Sequence, residues 1–181
     1  MIRKIELPLL KRFAGDRAAV SALEFAMILP IMVTLYLGGI EIGQALTINR
    51  KVTHITSTLA DLVTQSKAVT TADIENIFDA ATAIVSPYDA SLLRMKITGI
   101  QVDSEGATAK VVWGDARNDT AESVDADITI PAAVRDADAF VVEAEVHYDY
   151  TPPIGYVITG TFDMGDKFYL RPRLSDTVIR Q

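Results

Sequence analysis

The chain has 181 residues, no cysteine, 49% hydrophobic residues and a formal net charge of −7. That length holds one membrane span and one modest domain, not two full cores, and the missing cysteines exclude a disulfide framework, a thiolate metal site and a thiol nucleophile. The charge is unevenly spread, with a net of +3 in residues 1–19, −1 in residues 20–50 and −9 in residues 51–181, an acidic balance that disfavours nucleic acid as a partner.

Residues 1–19 read as a short leader. Arg3, Lys4, Lys11, Arg12 and Arg17 outnumber Glu6 and Asp16, and Pro8 and Gly15 argue against a helix through all of it. From Val20 to Ile40 the sequence VSALEFAMILPIMVTLYLGGI carries a single side chain charged at neutral pH, Glu24. About 20 mostly apolar residues suffice for a helix to cross the hydrocarbon core, and a basic flank before such a span keeps the N-terminus in the cytoplasm. A cleaved secretory signal is the competing interpretation, with Gly38-Gly39 as its small-residue site. Its apolar region would be shorter, however, and would end in a cleavage loop rather than in more amphipathic sequence. Pro30 is tolerated in a membrane helix, and Gly38, Gly39 and Gly43 are small surfaces that another helix could approach.

Beyond the span, Ile42, Leu46, Val52, Ile55, Leu59, Leu62 and Val63 recur at three- and four-residue steps, so the helix is expected to continue to Gln65. A second helix is capped by Thr70 or Thr71, with Asp73 and Glu75 at its positive end and Pro87 past its finish. Its apolar stripe is Ile74, Ile77, Phe78, Ala81, Ile84 and Val85. The period then changes to two. Leu93, Met95 and Ile97 alternate with polar residues, a turn follows at Asp103–Gly106, and Ala107, Ala109, Val111 and Trp113 alternate after it, together a hairpin. Gly114 to Asp138 reads as a long loop with a short helix near Ala132. Val142 to Tyr150 is the clearest strand, and Tyr156–Thr161 and Lys167–Leu170 are two shorter ones. The expected fold is α+β: a long N-terminal transmembrane helix running into a small domain with one further helix and an antiparallel β-sheet. The division is a cytoplasmic leader 1–19, a transmembrane helix 20–41, an extramembrane extension 42–66 and a periplasmic domain 67–181.

Few residues suggest chemistry. His54 and His147 lack metal-ligand spacing, and His147 falls on the polar, exposed side of its strand. Asp119, Glu122, Asp125 and Asp127 lack the spacing and glycine of an EF-hand and read as a solvated acidic loop. Arg171 and Arg173, flanking Pro172, offer two cations to an acidic surface. No nucleotide loop, nucleophile elbow or catalytic dyad is present, so neither an enzyme nor a cofactor is expected.

The block Val20-Ser21-Ala22-Leu23-Glu24-Phe25-Ala26, followed by Ile28-Leu29-Pro30, resembles the N-terminal signature of the TadE/TadG-like proteins, minor pilin-like components of the tight adherence (Flp, type IVc) pilus machinery. Shorter similarities follow at Ala60-Asp61-Leu62-Val63, Val112-Trp113, Ala144-Glu145-Val146 with Tyr148 and Tyr150, and Tyr169-Leu170-Arg171-Pro172-Arg173. The resemblance implies a pilin-like fold and a pseudopilin role in pilus assembly and adhesion, exercised by helix packing. The alternative is an unprocessed single-span anchor whose periplasmic domain docks on other envelope components. Its implied partners are the lipid bilayer, other pilin-like subunits, pilus assembly proteins and prepilin peptidase. The implied location is the bacterial inner membrane, crossed once with the domain in the periplasm, or the pilus itself. Prepilin peptidase would cut between Ala19 and Val20, making Glu24 the fifth residue, although alanine stands where the family usually has glycine. Glu24, Phe25 and Pro30 would set the register between packed helices, with Glu24 neutralised by a neighbour's N-terminal ammonium. The plain chemical alternative is that Glu24 sits at the headgroup level and reaches water.

Overall fold

The computed structural model describes residues 17–155 and 159–181. The leader up to Asp16, and the Tyr156–Ile158 part of one expected strand, lie outside the described residues.

Helix α1 spans Arg17–Thr64, 48 residues without a break, with Pro30 inside it. At ~1.5 Å per residue it is about 70 Å long. Its two halves meet different surroundings. Leu23, Phe25, Met27, Ile31, Leu35 and Tyr36 are each at least 60% exposed, while Ile48, Val52, Ile55, Leu59, Ala60 and Val63 are buried. The β-branched run Thr53–Thr58 has weak helix propensity, but packing outweighs it. The Thr56 and Thr58 hydroxyls donate back to the Val52 and His54 carbonyls at 2.8 Å, which spares them from competing for the helix's free groups.

Two residues of strand β1 (Ala68–Val69) lead into helix α2, Thr71–Val85. Its N-cap is Thr70. The Asp73 N–H donates to the Thr70 hydroxyl at 3.2 Å, and the Asp73 carboxylate accepts from the Thr70 N–H at 2.9 Å, a complete capping box. The other end is closed from a distance: Lys51 of α1 donates to the Ile84 and Ser86 carbonyls at 2.7 Å, placing a cation at the negative pole of α2. The Ile74, Phe78, Ala81 and Val85 stripe is buried.

Strands β2 (Leu93–Val102), β3 (Ala109–Arg117), β4 (Phe140–Tyr150) and β5 (Phe162–Leu170) form one antiparallel sheet in the order β3-β2-β4-β5. One face presents Leu93, Met95, Ile97, Val142, Ala144, Val146, Tyr148 and Tyr150, and these join the buried stripes of α1 and α2 in the main core. The fold is therefore α+β, as the change of period predicts. The hairpin turn is held by Asp103, whose carboxylate accepts from the Ala107 and Thr108 N–H groups at 2.8 and 2.9 Å. Gly106 supplies the positive φ of +68° that the turn requires.

Three sequence expectations are corrected. Ala109, Val111 and Trp113 do not share a face, because the register slips between Gly99 and Ile100 and leaves Val112 as an extra residue in β3. Trp113 thus joins the main core, while Ala109 turns to the other face and a small second core with Ile100, Val102, Ile130 and Val141. Gly99, opposite Trp113, has no side chain because any Cβ there would run into the indole. Strand β5 begins at Phe162, not Lys167, and residues 159–161 precede it outside any strand. The long loop begins after Arg117 and not at Gly114, because Gly114, Asp115, Ala116 and Arg117 pair with β2, and it contains a short 3₁₀ turn, Ala132–Val134. Finally, β6 (Ile179–Arg180) pairs in parallel with β1, a contact no local pattern announced.

Candidate functional site

The residues singled out near the N-terminus all lie on α1. Ala19 and Val20 fall in its first turn, so their peptide bond is helical. Glu24 and Phe25 are exposed, as is Pro30, whose carbonyl accepts from the Thr34 hydroxyl at 2.8 Å. At about 100° per residue, Glu24, Phe25 and Pro30 point to three separate sides of the helix. The fold does not gather them into one site; it displays them around a single rod. The stretch is long and apolar enough to cross a membrane, and its most apolar window buries nothing inside the domain.

Where α1 enters the domain, one side becomes covered. Gly38 and Glu41 are buried, and the Tyr150 hydroxyl reaches Gln44 at 3.5 Å. Burial, and then the Glu41 charge, raise the Tyr150 phenol above its ordinary range. On the opposite side Gly39 and Gly43 face open space, and Ile42 and Leu46 remain exposed. Glu41 is one of the two carboxylates in residues 20–50 and belongs to no sequence motif. Its place among buried neighbours follows from its offset of seven residues from Ile48, the first core position of α1.

The arginines near the end of the chain are engaged. Arg171 pairs with Asp136 and Arg173 with Asp61 at 2.5 Å, so they serve the domain itself rather than standing free for an acidic surface. The latter pair ties together two of the short sequence blocks, on α1 and after β5. Arg180 clasps Asp115 with two nitrogens at 2.8 and 2.9 Å, and the Trp113 indole N–H donates to the Val178 carbonyl at 2.8 Å. These contacts fasten the last residues across the end of the sheet.

The outer sheet face carries a charge cluster centred on Glu145. Lys96, Lys167 and His147 lie 2.7, 3.0 and 3.0 Å from its carboxylate. Burial pushes the Glu145 carboxyl up, but its three cationic partners outweigh that and hold it down at about 2. His147 is therefore not simply exposed: its other ring nitrogen lies 2.9 Å from Asp163. Gly165 stands opposite because a Cβ there would collide with the imidazole. Of the acidic loop, Glu122 reaches Lys96 at 3.3 Å, and Asp127 forms a backbone bridge with Lys110. Among the described residues, no group of three or more His, Asp or Glu is placed to hold a metal ion.

A chain with one long helix, exposed and apolar at its start and embedded in an α+β domain at its end, is a helix-tethered domain whose apolar half is a candidate membrane span. A family model described as TadE-like protein matches residues 19–61, which is nearly the whole of α1 and includes the Glu24-Phe25 and Pro30 positions. Over that segment the chain is similar to the TadE-like family, whose known setting is the tight adherence (Flp) pilus system. No curated protein and no solved structure matches the chain.

Proposed function

We propose that this chain is a minor pilin- or pseudopilin-like structural component of tight adherence pilus assembly, working by packing its α1 helix against other pilin-like subunits and not by catalysis. The observation that carries this is the continuity of α1. Its apolar first half is bare, its second half is domain core, and the two are one uninterrupted helix. Force or register set at the membrane end is thereby delivered to the domain without a hinge. An exposed carboxylate in lipid costs several kcal/mol near the bilayer centre and less near its edge. Glu24, on the first turns, is offset by a neighbour's ammonium if the chain is cut after Ala19.

The second reading is an unprocessed single-span anchor in the inner membrane, with the domain docking on other periplasmic parts of the machine. Two features favour it: alanine replaces the usual glycine before the cut, and the Ala19–Val20 bond lies within the helix. The mass of the intact protein from membranes, with and without prepilin peptidase, decides between them. Loss of residues 1–19 only with the peptidase supports the pilin-like component; an intact N-terminus in both samples supports the anchor. On the first reading Glu24→Gln impairs pilus assembly, and unchanged assembly in that variant removes the charge-pairing role.

A further inference from the structure

The domain has an apolar rim at the end where α1 enters it. Outside α1, Leu92, Ile154 and Phe162 are 38%, 47% and 42% exposed. They come from three segments that meet at this end: the 3₁₀ turn before β2, the loop after β4 and the first residue of β5. Phe162 stands directly opposite Tyr150 in the sheet register, and Tyr150 touches Gln44, so the rim lies level with residues 41–46 of α1.

At that same level the free side of α1 is still apolar. Ile42 and Leu46 are 50% and 53% exposed, and polar side chains begin on that side at Thr47, whose hydroxyl donates to the Gly43 carbonyl at 2.8 Å, followed by Asn49 and Arg50. From Val20 to Leu46 the apolar surface measures about 40 Å at ~1.5 Å per residue. The hydrocarbon core accounts for only ~30 Å, and ~40–45 Å is reached only by including the headgroup layers. A span that begins at Val20 therefore leaves Ile42 and Leu46 inside the outer headgroup layer, and the rim with them. Arg94, beside the rim, pairs with Asp149 and Asp163 at 3.0 and 3.3 Å, and the exposed Asp89 that caps the Leu92 turn accepts from the Ser91 N–H and hydroxyl at 2.9 and 2.8 Å, so the charges at this level suit the headgroup layer and not the hydrocarbon core.

We infer that the Leu92, Ile154 and Phe162 rim is a lipid-contacting surface, on which the domain rests in the outer headgroup layer instead of standing clear of the membrane. The inference depends on α1 being the membrane span. Three seated apolar side chains limit the tilt of the rod and fix the height at which the domain is presented to its neighbours.

The cysteine-free chain allows a direct test with single substitutions in the full-length protein. Ile154→Cys, Phe162→Cys, Leu35→Cys and Val124→Cys are each labelled with an environment-sensitive nitrobenzoxadiazole dye. The proteins are reconstituted in phosphatidylethanolamine–phosphatidylglycerol vesicles with and without a nitroxide lipid, labelled in the headgroup to probe 154, 162 and 124 and in the middle of the acyl chain to probe 35, which lies near the bilayer centre. The expected result is quenching at 154 and 162 by at least about twofold, as for a surface seated ~5–10 Å into the interface, with no quenching at 124. Quenching at 35 but not at 154 and 162 overturns the lipid-contacting rim while leaving the span intact. Absence of quenching at 35 overturns the span and the inference with it. Blue-shifted but unquenched dye at 154 and 162 means that protein covers the rim, and also overturns it.

Discussion

His147 illustrates how position changes a residue's meaning. Both of its ring nitrogens face carboxylates, Asp163 at 2.9 Å and Glu145 at 3.0 Å. A carboxylate only accepts, and a neutral imidazole has one N–H to give, so both contacts are satisfied only by the imidazolium. Burial pulls its pKa down, but the bonds to Glu145 and Asp163 outweigh that and raise it above 6.5. A raised folded-state pKa makes the contribution complete below about 6.5 and lost as pH rises through the folded value. Glu145 works in the opposite direction, contributing above its ordinary 4.5 and losing that contribution as pH falls toward about 2. In urea titrations of the detergent-solubilised chain, the wild type should therefore lose stability as pH rises above about 6.5, by no more than about 1 kcal/mol because solvent screens these pairs. His147→Gln should remove that slope, and a slope of equal size in the variant would show that other groups cause it.

At the scale of elements, α2 was legible because its signals are local. The cap, the acidic first turn and the apolar stripe all fall within 16 residues, and the structure uses each of them. Thr70→Ala removes the acceptor for the Asp73 N–H and should lower stability by about 1 kcal/mol, read as a shift of the urea midpoint at unchanged slope. The Lys51 closure of the same helix was not legible, since it joins residues 33 and 35 positions apart. The Val112 bulge escaped for a related reason. Alternation along β3 predicts one face, but the position of the extra residue depends on β2, where Gly99 makes room for Trp113.

For the whole molecule, α1 is both anchor and core. Leu59 is completely buried in the domain, whereas Leu35 is 72% exposed and touches only what surrounds the molecule. Leu59→Ala should destabilise the domain by about 2–5 kcal/mol, and Leu35→Ala should leave domain unfolding unchanged. Calorimetry of the two variants in the same detergent checks this, and equal losses would mean that the first half of α1 also packs on the domain. The contrast follows from chain geometry: one rod of about 70 Å cannot be covered along its length by a domain of little more than 100 residues.

The amino-acid sequence alone determined the long helix, its apolar first half, the capped second helix, the change to strands and the TadE-like N-terminal block. Each of these is written in the spacing of near neighbours, where periodicity and capping act. Tertiary structure alone decided which side of α1 is covered at Glu41, how Glu145 gathers Lys96, His147 and Lys167, and why Arg173 meets Asp61. It also decided that β6 closes on β1. Those contacts join residues from separate elements, and their geometry exists only once the sheet has closed against the helices and set the register between them.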